Sequence, residues 1–225
     1  MSAPGSGPRS ATVARISRAA LAANARAARA RGIHSISPRV FEADAWGHGA
    51  QLIRGVLAAE GFVLDDADAV SATAAPPRAA LTAAELLGVG YPDTVPAMRL
   101  TGSVLSVKAL RAGEGVSYGF AFRAPVDTRI ALVTGGYAQG IVRSLGGAVD
   151  VAMAGERHPI VGRVAMDVCV VEIGDAAVRR GDEVLFLGDP AAREPSLEDW
   201  VRATGLFAFE LITTVGLRSI REEAP

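Results

Sequence analysis

Lysine and cysteine are almost absent from this chain of 225 residues, which has one of each, Lys108 and Cys169. A single cysteine excludes a disulfide framework, so we expect a reducing cytoplasm as the location. No apolar run approaches the ~20 residues that a membrane-spanning helix needs. A net charge of −1 gives no reason to expect a polyanion as a ligand. The composition therefore predicts neither a membrane nor a nucleic acid as a partner.

Acidic side chains are absent from the first 41 residues, which contain seven arginines; Glu42 is the first carboxylate. An arginine-rich, acid-poor start can be a transit peptide or a membrane-surface helix. The apolar residues of this stretch are mostly alanine, which gives little membrane affinity. We therefore expect an ordinary exposed helix.

Histidine is also scarce, and His34, His48 and His158 are scattered along the chain. They have no paired Cys, Asp or Glu at the spacing of a metal site, so we expect no metal. His48 belongs to a Gly-His-Gly turn, where a structural role is favoured over catalysis.

Hydrophobic patterning divides the chain into four parts. Residues 1–11 are predicted to be a disordered lead, and residues 12–61 a strand–helix–strand–loop–helix unit. Residues 62–95 lose periodicity and are predicted to be a linker with one short helix near Leu81–Leu87. Residues 96–222 alternate like strands and are punctuated by Gly, Pro and Asp turns, which predicts a β domain.

The fold class predicted is mainly β, a compact barrel or sandwich with a small α/β unit before it. Ser17 is expected to cap a helix that Gly32 ends, and Ser196 to cap another that Gly205 ends. A helix between them buries one face, which comprises Leu52, Ile53, Val56 and Leu57. The predicted strands are Thr12–Ile16, Pro38–Phe41, Met98–Leu110, Thr128–Thr134, Val149–Met153, Val161–Ile173, Glu183–Leu187 and Leu217–Ile220.

The stretch Ala112–Gly119 is predicted to be a tight, glycine-framed turn that presents the hydroxyl of Tyr118. A phenol has a reference pKa of about 10, so a catalytic tyrosine needs surroundings that ease the loss of its proton. The alternative is a turn tyrosine that packs on its neighbours. These eight residues alone leave both interpretations open.

Three further stretches carry a family resemblance: Val40–Gly49, Gly135–Gly140 and Val161–Asp167. In this order, together with the Tyr118 turn, they resemble the alanine racemases, pyridoxal-phosphate enzymes with a β/α barrel followed by a β domain. The resemblance is dense over Pro96–Arg221 and patchy over Thr12–Glu60. A complete β/α barrel takes roughly 200–250 residues, so the resemblance implies a β domain with only a remnant of the barrel.

The resemblance assigns catalytic positions to Tyr118 and Glu42. It implies that Tyr118 is the proton acid/base of the family reaction. It also implies that Glu42 stands where the family has the lysine that forms a Schiff base with pyridoxal phosphate, and a carboxylate cannot condense with an aldehyde. Trp46 and Phe209 then take two cofactor-contacting positions where the family has tyrosines, and Phe209 lacks the hydroxyl that contacts the cofactor phosphate.

Tyr137, Met166 and Asp167 resemble the substrate entrance of the family and the place where a main-chain N–H meets the substrate carboxylate. Gln139 stands where the family usually has an acid. Packing within a strand is the alternative role for these residues.

The resemblance implies the interconversion of L- and D-alanine as the family reaction and pyridoxal phosphate as its cofactor. We expect the isolated chain to be inactive or strongly impaired, because the lysine position is Glu42 and most of the barrel is absent. The family works as a head-to-tail dimer, so the expected partner is a second copy or a full-length alanine racemase. The alternative is a non-catalytic interaction or regulatory module that pairs with a full-length racemase.

Overall fold

The computed structural model describes residues 11–64, 80–91 and 93–225. Its strands are β1 (Val13–Ser17), β2 (Ser35–Ile36), β3 (Val63–Leu64), β4 (Ala80–Leu81), β5 (Met98–Leu110), β6 (Gly115–Val116), β7 (Phe122–Arg123), β8 (Thr128–Thr134), β9 (Asp150–Met153), β10 (Glu156–Val161), β11 (Val168–Glu172), β12 (Glu183–Leu187) and β13 (Ile220–Ala224). Its helical segments are α1 (Arg18–Ala30), α2 (Glu42–Trp46), α3 (Ala50–Ala59), α4 (Ala83–Leu87), α5 (Leu197–Thr204) and α6 (Ala208–Arg218).

Six antiparallel strands close into a barrel in the order β5–β12–β9–β10–β11–β8, with β8 pairing back to β5. The length of β5, 13 residues, allows this closure. Its first half pairs with β12, where Ser103 faces Glu183, and its second half pairs with β8, where Leu110 faces Thr128. Each ladder contains a register shift, which increases the local bend and twist of the strands. The mainly β fold that the sequence predicts is confirmed.

The first and last strands of the chain extend this barrel side by side. β1 is antiparallel to β5, with Val13 opposite Thr101, and parallel to β13, with Val13 opposite Ile220. Arg15 on β1 forms a salt bridge of 2.6 Å with Glu183 on β12. The N-terminal unit is therefore joined to the β domain by a continuous hydrogen-bonded sheet.

The N-terminal unit contains a small parallel sheet with helices beside it, the arrangement of a β/α barrel segment. Ser17 Oγ accepts a hydrogen bond from the Ala20 N–H and starts α1, and Gly32, with φ +83°, follows its end. β2 lies between β3 and β4 and is parallel to both. α3 buries the four side chains predicted for its core face, Leu52, Ile53, Val56 and Leu57.

The described part of segment 62–95 is built into the core. It contains α4 near the predicted helix, as well as β3 and β4, and Leu81, Leu86 and Leu87 are fully buried. Asn24 of α1 fixes this segment: its Nδ2 donates to the Leu86 and Val95 carbonyls, and its Oδ1 accepts from the Val95 N–H. The predicted lead over residues 1–11 lies, except for Ala11, outside the described residues, as do residues 65–79.

Three of the predicted strands are wrong, two of them because of a local backbone signal. Pro38–Phe41 is a 3₁₀ turn, since Pro38 favours its first turn and Ser37 caps it. The run Val161–Ile173 is two strands, β10 and β11, because Gly162 with φ +68° breaks the extended backbone. Leu217 lies within a helix, α6, and the last strand begins only at Ile220.

Candidate functional site

Tyr118 lies on an exposed 3₁₀ turn, Tyr118–Phe120, between the short paired strands β6 and β7. Ser117 and Phe120 have positive φ values of 64° and 47°, and Gly119 has φ +75°. Such conformations cost on the order of 1–3 kcal/mol for residues other than glycine, so the surrounding contacts must impose them. The side chain of Tyr118 is 68% exposed. Its hydroxyl has no hydrogen-bond partner within the described part of the chain.

The Tyr118 turn is anchored to the loop that follows β10. Ser117 Oγ donates a hydrogen bond to the Arg163 carbonyl. At Gly162, a Cβ atom would lie 2.8 Å from Ser117 Cβ, so only glycine allows this close approach. The predicted glycine-framed turn is present, and its contacts hold the turn while leaving the phenol free.

Tyr137, Met166 and Asp167 lie on two loops that are hydrogen-bonded to each other, the loop after β8 and the loop before β11. Three main-chain hydrogen bonds join their loops: Gly135 N–H to the Asp167 carbonyl at 3.0 Å, Tyr137 N–H to Ala165 at 2.9 Å, and Ala138 N–H to Met166 at 2.9 Å. Met166 is 54% exposed, and its own N–H donates to no described residue. A free main-chain donor can therefore face a ligand here.

Tyr118 is linked to these loops through Ser117, which binds the Arg163 carbonyl in the loop of Met166. We call Tyr118, Tyr137, Met166 and Asp167 the loop cluster, and two polar contacts orient its side chains. Gln139 Nε2 donates to Asp167 Oδ1 at 3.3 Å. The Arg143 guanidinium lies 4.7 Å from the centre of the Tyr137 ring, a cation–π distance. The contacts orient an acidic and a phenolic side chain at the surface.

Glu42 begins the segment Glu42–Gly49, which we call the glutamate loop. Its side chain is exposed, and the next four residues, Ala43 to Trp46, have left-handed φ values of 49° to 55°. A left-handed conformation costs roughly 1–2 kcal/mol per residue, so several contacts must hold this turn. Asp44 supplies two of them: Oδ1 accepts from the Ala50 N–H, and Oδ2 forms a 2.7 Å salt bridge with Arg221.

His48 supplies a third contact from inside the loop. Its Nδ1 lies 3.1 Å from the carbonyl oxygens of both Ala45 and Trp46. Carbonyls only accept hydrogen bonds, so Nδ1 carries the proton and donates it. The side chain is fully buried, and this desolvation lowers the pKa of His48 to about 4. The imidazole is therefore neutral at pH 7, and its structural role is to hold the loop carbonyls.

The glutamate loop packs against α6, an element that the sequence analysis did not predict. Gly47 and Gly216 cross so closely that a Cβ atom on Gly216 would lie 2.8 Å from the Gly47 Cα atom. The Trp46 and Phe209 rings have centroids 5.9 Å apart, and Phe207 stacks on Phe209 at 5.7 Å. The structure thus brings together the two predicted cofactor positions, but a phenyl ring offers no hydroxyl to a phosphate.

The other side of α6 contacts the loop cluster. Arg218 Nη1 donates to the Ala138 carbonyl at 3.0 Å, and Gly140 packs closely on Val215. One helix therefore supports both groups of candidate residues. The helix begins where the Glu210 carboxylate accepts a hydrogen bond from the Phe207 N–H at 2.9 Å.

The residues of the glutamate loop do not fit pyridoxal phosphate as a covalently held cofactor. That chemistry needs a lysine amine, and Glu42 offers a carboxylate. Lys108, the only lysine, is exposed on β5 opposite Ile130, far along the chain from the loop. No step through the cofactor can therefore be assigned to this chain's own residues.

Among the described residues, no three His, Cys, Asp or Glu side chains are grouped as a metal site would require. Within the same residues no single helix has the length and apolarity to cross a membrane; α5 and α6 reach that length only as a pair, bent by 113°.

Comparison with known proteins places these residues in a family. The profile described as "Alanine racemase, C-terminal domain" matches residues 97–223. Alanine racemase of Mycobacterium leprae is 44% identical over 129 residues, which are 56% of this chain and 33% of that protein. Alanine racemase of Thermobifida fusca is 37% identical over 131 residues, 58% of this chain and 35% of that protein. The chain spans about a third of the length of these curated relatives.

Solved structures extend the likeness of the fold to the N-terminal unit. Alanine racemase from D-cycloserine-producing Streptomyces lavendulae superposes with a TM-score of 0.80 at 21% identity, covering 100% of this chain and 98% of that one. The biosynthetic alanine racemase of Pseudomonas aeruginosa gives a TM-score of 0.75 at 19% identity, covering 98% of this chain and 100% of that one. The sequence matches cover the loop cluster and Phe209, whereas the glutamate loop lies outside residues 97–223.

Proposed function

The chain belongs to the alanine racemase C-terminal domain family, and from that premise we propose that it lends its β domain to the active site of a full-length alanine racemase. In this proposal Tyr118 acts as the acid/base in the active site of the other polypeptide, whose β/α barrel binds the pyridoxal phosphate. The chain alone does not racemise alanine. The proposal follows the head-to-tail arrangement that the family resemblance implies.

The exposure of Tyr118 carries the proposal. A rigid turn with three positive φ values presents a phenol that is 68% exposed and unpaired among the described residues. Strained backbone of this kind is concentrated at functional sites, where the surrounding contacts impose it. The ligand-facing role of a general acid/base requires such access.

The remaining members of the loop cluster support the same role. Met166 offers a free main-chain N–H, and Asp167 and Tyr137 are oriented by Gln139 and Arg143. These groups would line the approach of a small amino acid to the barrel of the partner. Alanine is the substrate that the family resemblance implies.

The state of the glutamate loop explains why the chain needs another polypeptide. Glu42 cannot form a Schiff base, and Phe209 cannot donate a hydrogen bond to a phosphate. Both losses concern the cofactor side of the site, which an intact barrel would supply. The buried, unpaired thiol of Cys169 supports a reducing compartment, and we place the pairing in the cytoplasm.

A complementation assay tests this function. The partner is a full-length alanine racemase whose own tyrosine, at the position matching Tyr118, is replaced by phenylalanine, so that its homodimer is inactive. We expect the wild-type chain to restore alanine racemisation, and Tyr118→Phe to restore none. Tyr91→Phe is the matched control and should leave the restored activity unchanged, because it removes the hydroxyl of an exposed tyrosine outside the loop cluster.

A second function, a non-catalytic pairing module, is favoured by the exposed aromatic face of α6. Phe207 is 68% exposed, and Phe209, Leu206 and Trp46 lie around it. Contiguous apolar surface of this kind favours association. A stable complex without restored racemisation would support the module and reject the lent tyrosine. If the chain does not bind the full-length racemase at all, both functions are wrong.

A further inference from the structure

A cavity of about 200 Å³ lies between the segment from Leu87 to Pro96 and the β domain. Its walls come from the turn after α4, the segment after β12, the start of α5, and single residues of the glutamate loop and α6. Neither the loop cluster nor Glu42 lines it. The cavity is therefore separate from the site of the proposed function.

The wall of this cavity is mainly apolar, with its charge all of one sign. Leu87, Met98 and Ile212 are typical of its aliphatic surface. The only charged side chains that line it are Asp189 and Glu198, and no lysine or arginine takes part among the described residues. Ligand sites are commonly apolar with a few placed polar groups, and here the formal charges favour a cation.

The two carboxylates differ in the hydrogen bonds that they already accept. Asp189 Oδ1 already accepts a hydrogen bond from the Ala191 N–H at 2.9 Å. Glu198 is exposed and has no hydrogen bond or ion pair with any described residue. Glu198 is therefore the free counter-charge.

His48 adds an unpaired acceptor to the same wall. Nδ1 donates to the loop carbonyls of Ala45 and Trp46, neither of which lines the cavity. With Nδ1 carrying the proton, Nε2 is the acceptor of the ring. Nε2 is buried and lacks a partner among the described residues. An unpaired buried acceptor costs about 1–3 kcal/mol unless a donor meets it.

We propose that this cavity binds a small molecule with an apolar body and an ammonium group, the ammonium at Glu198 and the body between the two parts of the chain. The size suits such a ligand, because an apolar cavity of about 150 Å³ can hold benzene. The spare polar groups of the wall that are identified above are acceptors, which an ammonium group or another N–H donor would satisfy. The inference does not depend on the proposed function.

A titration of the full chain with three probes of one shape tests this site. Benzylamine, benzyl alcohol and benzoate share a ring and differ in charge, and ligand-observed NMR measures their dissociation constants. We expect benzylamine to bind about fivefold more tightly than benzyl alcohol, as one partly exposed ion pair allows. Benzoate should bind less tightly than either probe. Added salt should reduce the advantage of the amine.

Variants at the mouth of the cavity locate the binding. Glu198→Gln should bring the affinity for benzylamine down to that for benzyl alcohol. Ala191→Phe should abolish binding of both, because Ala191 lines the cavity, whereas Ala192→Phe should not, because the exposed Ala192 lies outside it. Equal affinities for the three probes, or unchanged binding in Ala191→Phe, would overturn the proposal.

Discussion

The loop cluster and the glutamate loop differ in the reactive groups that they expose. They contact opposite sides of α6. In the loop cluster the exposed groups are a phenol, a free main-chain N–H and an oriented carboxylate, from Tyr118, Met166 and Asp167. In the glutamate loop the exposed group is the carboxylate of Glu42, with the ring of Phe209 nearby on α6. The backbone supports of both regions are equally elaborate.

The contacts that hold the glutamate loop in place are therefore distinct from the side chains that would take part in a reaction. The glutamate loop keeps four left-handed residues, a salt bridge from Asp44 to Arg221, a buried His48 and the Gly47–Gly216 crossing. None of these contacts requires a lysine at position 42. The loop can therefore be needed for folding, since it packs against α6, even though a carboxylate at its first position cannot form a Schiff base.

The largest effect on folding stability is expected from a substitution where the glutamate loop crosses α6. Gly216→Ala places a methyl group 2.8 Å from the Gly47 backbone, which has no room to move without losing the left-handed turn. We expect the free energy of unfolding to fall by about 3 kcal/mol or more, since overpacking against backbone is costly. Urea denaturation monitored by tryptophan fluorescence measures it.

Gly55→Ala is the matched control, also a glycine in a helix. A Cβ at Gly55 meets no atom within 4 Å, so this change should raise the free energy of unfolding by about 0.5–1 kcal/mol. Equal effects of the two substitutions would mean that the crossing does not hold the loop, and the comparison drawn above would fail.

The second-largest effect expected is a loss of folding stability at acidic pH, caused by the buried His48. In the unfolded chain the pKa of a histidine is about 6.5, whereas burial lowers the pKa of His48 to about 4. The unfolded state therefore binds a proton first as the pH falls, so stability is lost between pH 6.5 and pH 4. The loss from pH 7 to pH 5 should be about 2 kcal/mol.

His48→Asn isolates this contribution, because an amide can donate to the same carbonyls but does not titrate. The difference between wild type and His48→Asn in the free energy of unfolding should change with pH by the amount given above. His34→Gln, at an exposed histidine outside the glutamate loop, is the matched control substitution. Parallel pH curves for wild type and His48→Asn would show that His48 is not the group that titrates.

The barrel could be predicted from the sequence because its signals are local. The strands Met98–Leu110, Thr128–Thr134 and Glu183–Leu187 were predicted with their exact ends, since alternating apolar residues and turn residues define them. α6 was not, because Ile212, Thr213, Thr214 and Val215 have the β-branched side chains typical of strands. Burial of Leu211, Ile212 and Val215 against the core overrides that preference.

The geometry of the glutamate loop could not be predicted, because its causes are distant in sequence. Four consecutive left-handed residues without glycine have no local signature. Arg221 and Gly216 impose them from the other end of the chain. The identities of Tyr118, Tyr137, Met166 and Asp167 as candidates came from the family resemblance, and their functional roles remain predictions.

The smallest effect is expected from placing a lysine at position 42, and it is measured as binding of pyridoxal phosphate. Glu42→Lys, made together with Lys108→Arg, leaves one lysine in the chain, at position 42. We expect only weak capture of pyridoxal phosphate, because Phe209 offers no hydroxyl and most of the barrel that would cradle the phosphate is absent. The measurement is borohydride reduction followed by peptide mass spectrometry, together with the visible absorbance of the unreduced sample.

Arg39→Lys in the same Lys108→Arg background is the control, since Arg39 is exposed three residues earlier. The two lysines should be labelled to within about twofold of each other, as freely exposed amines are, and adding Phe209→Tyr should raise only the label at position 42. A saturable, strongly absorbing adduct in Glu42→Lys alone would mean that the loop still cradles the cofactor, and the contrast between the two sides of α6 would then reduce to one side chain.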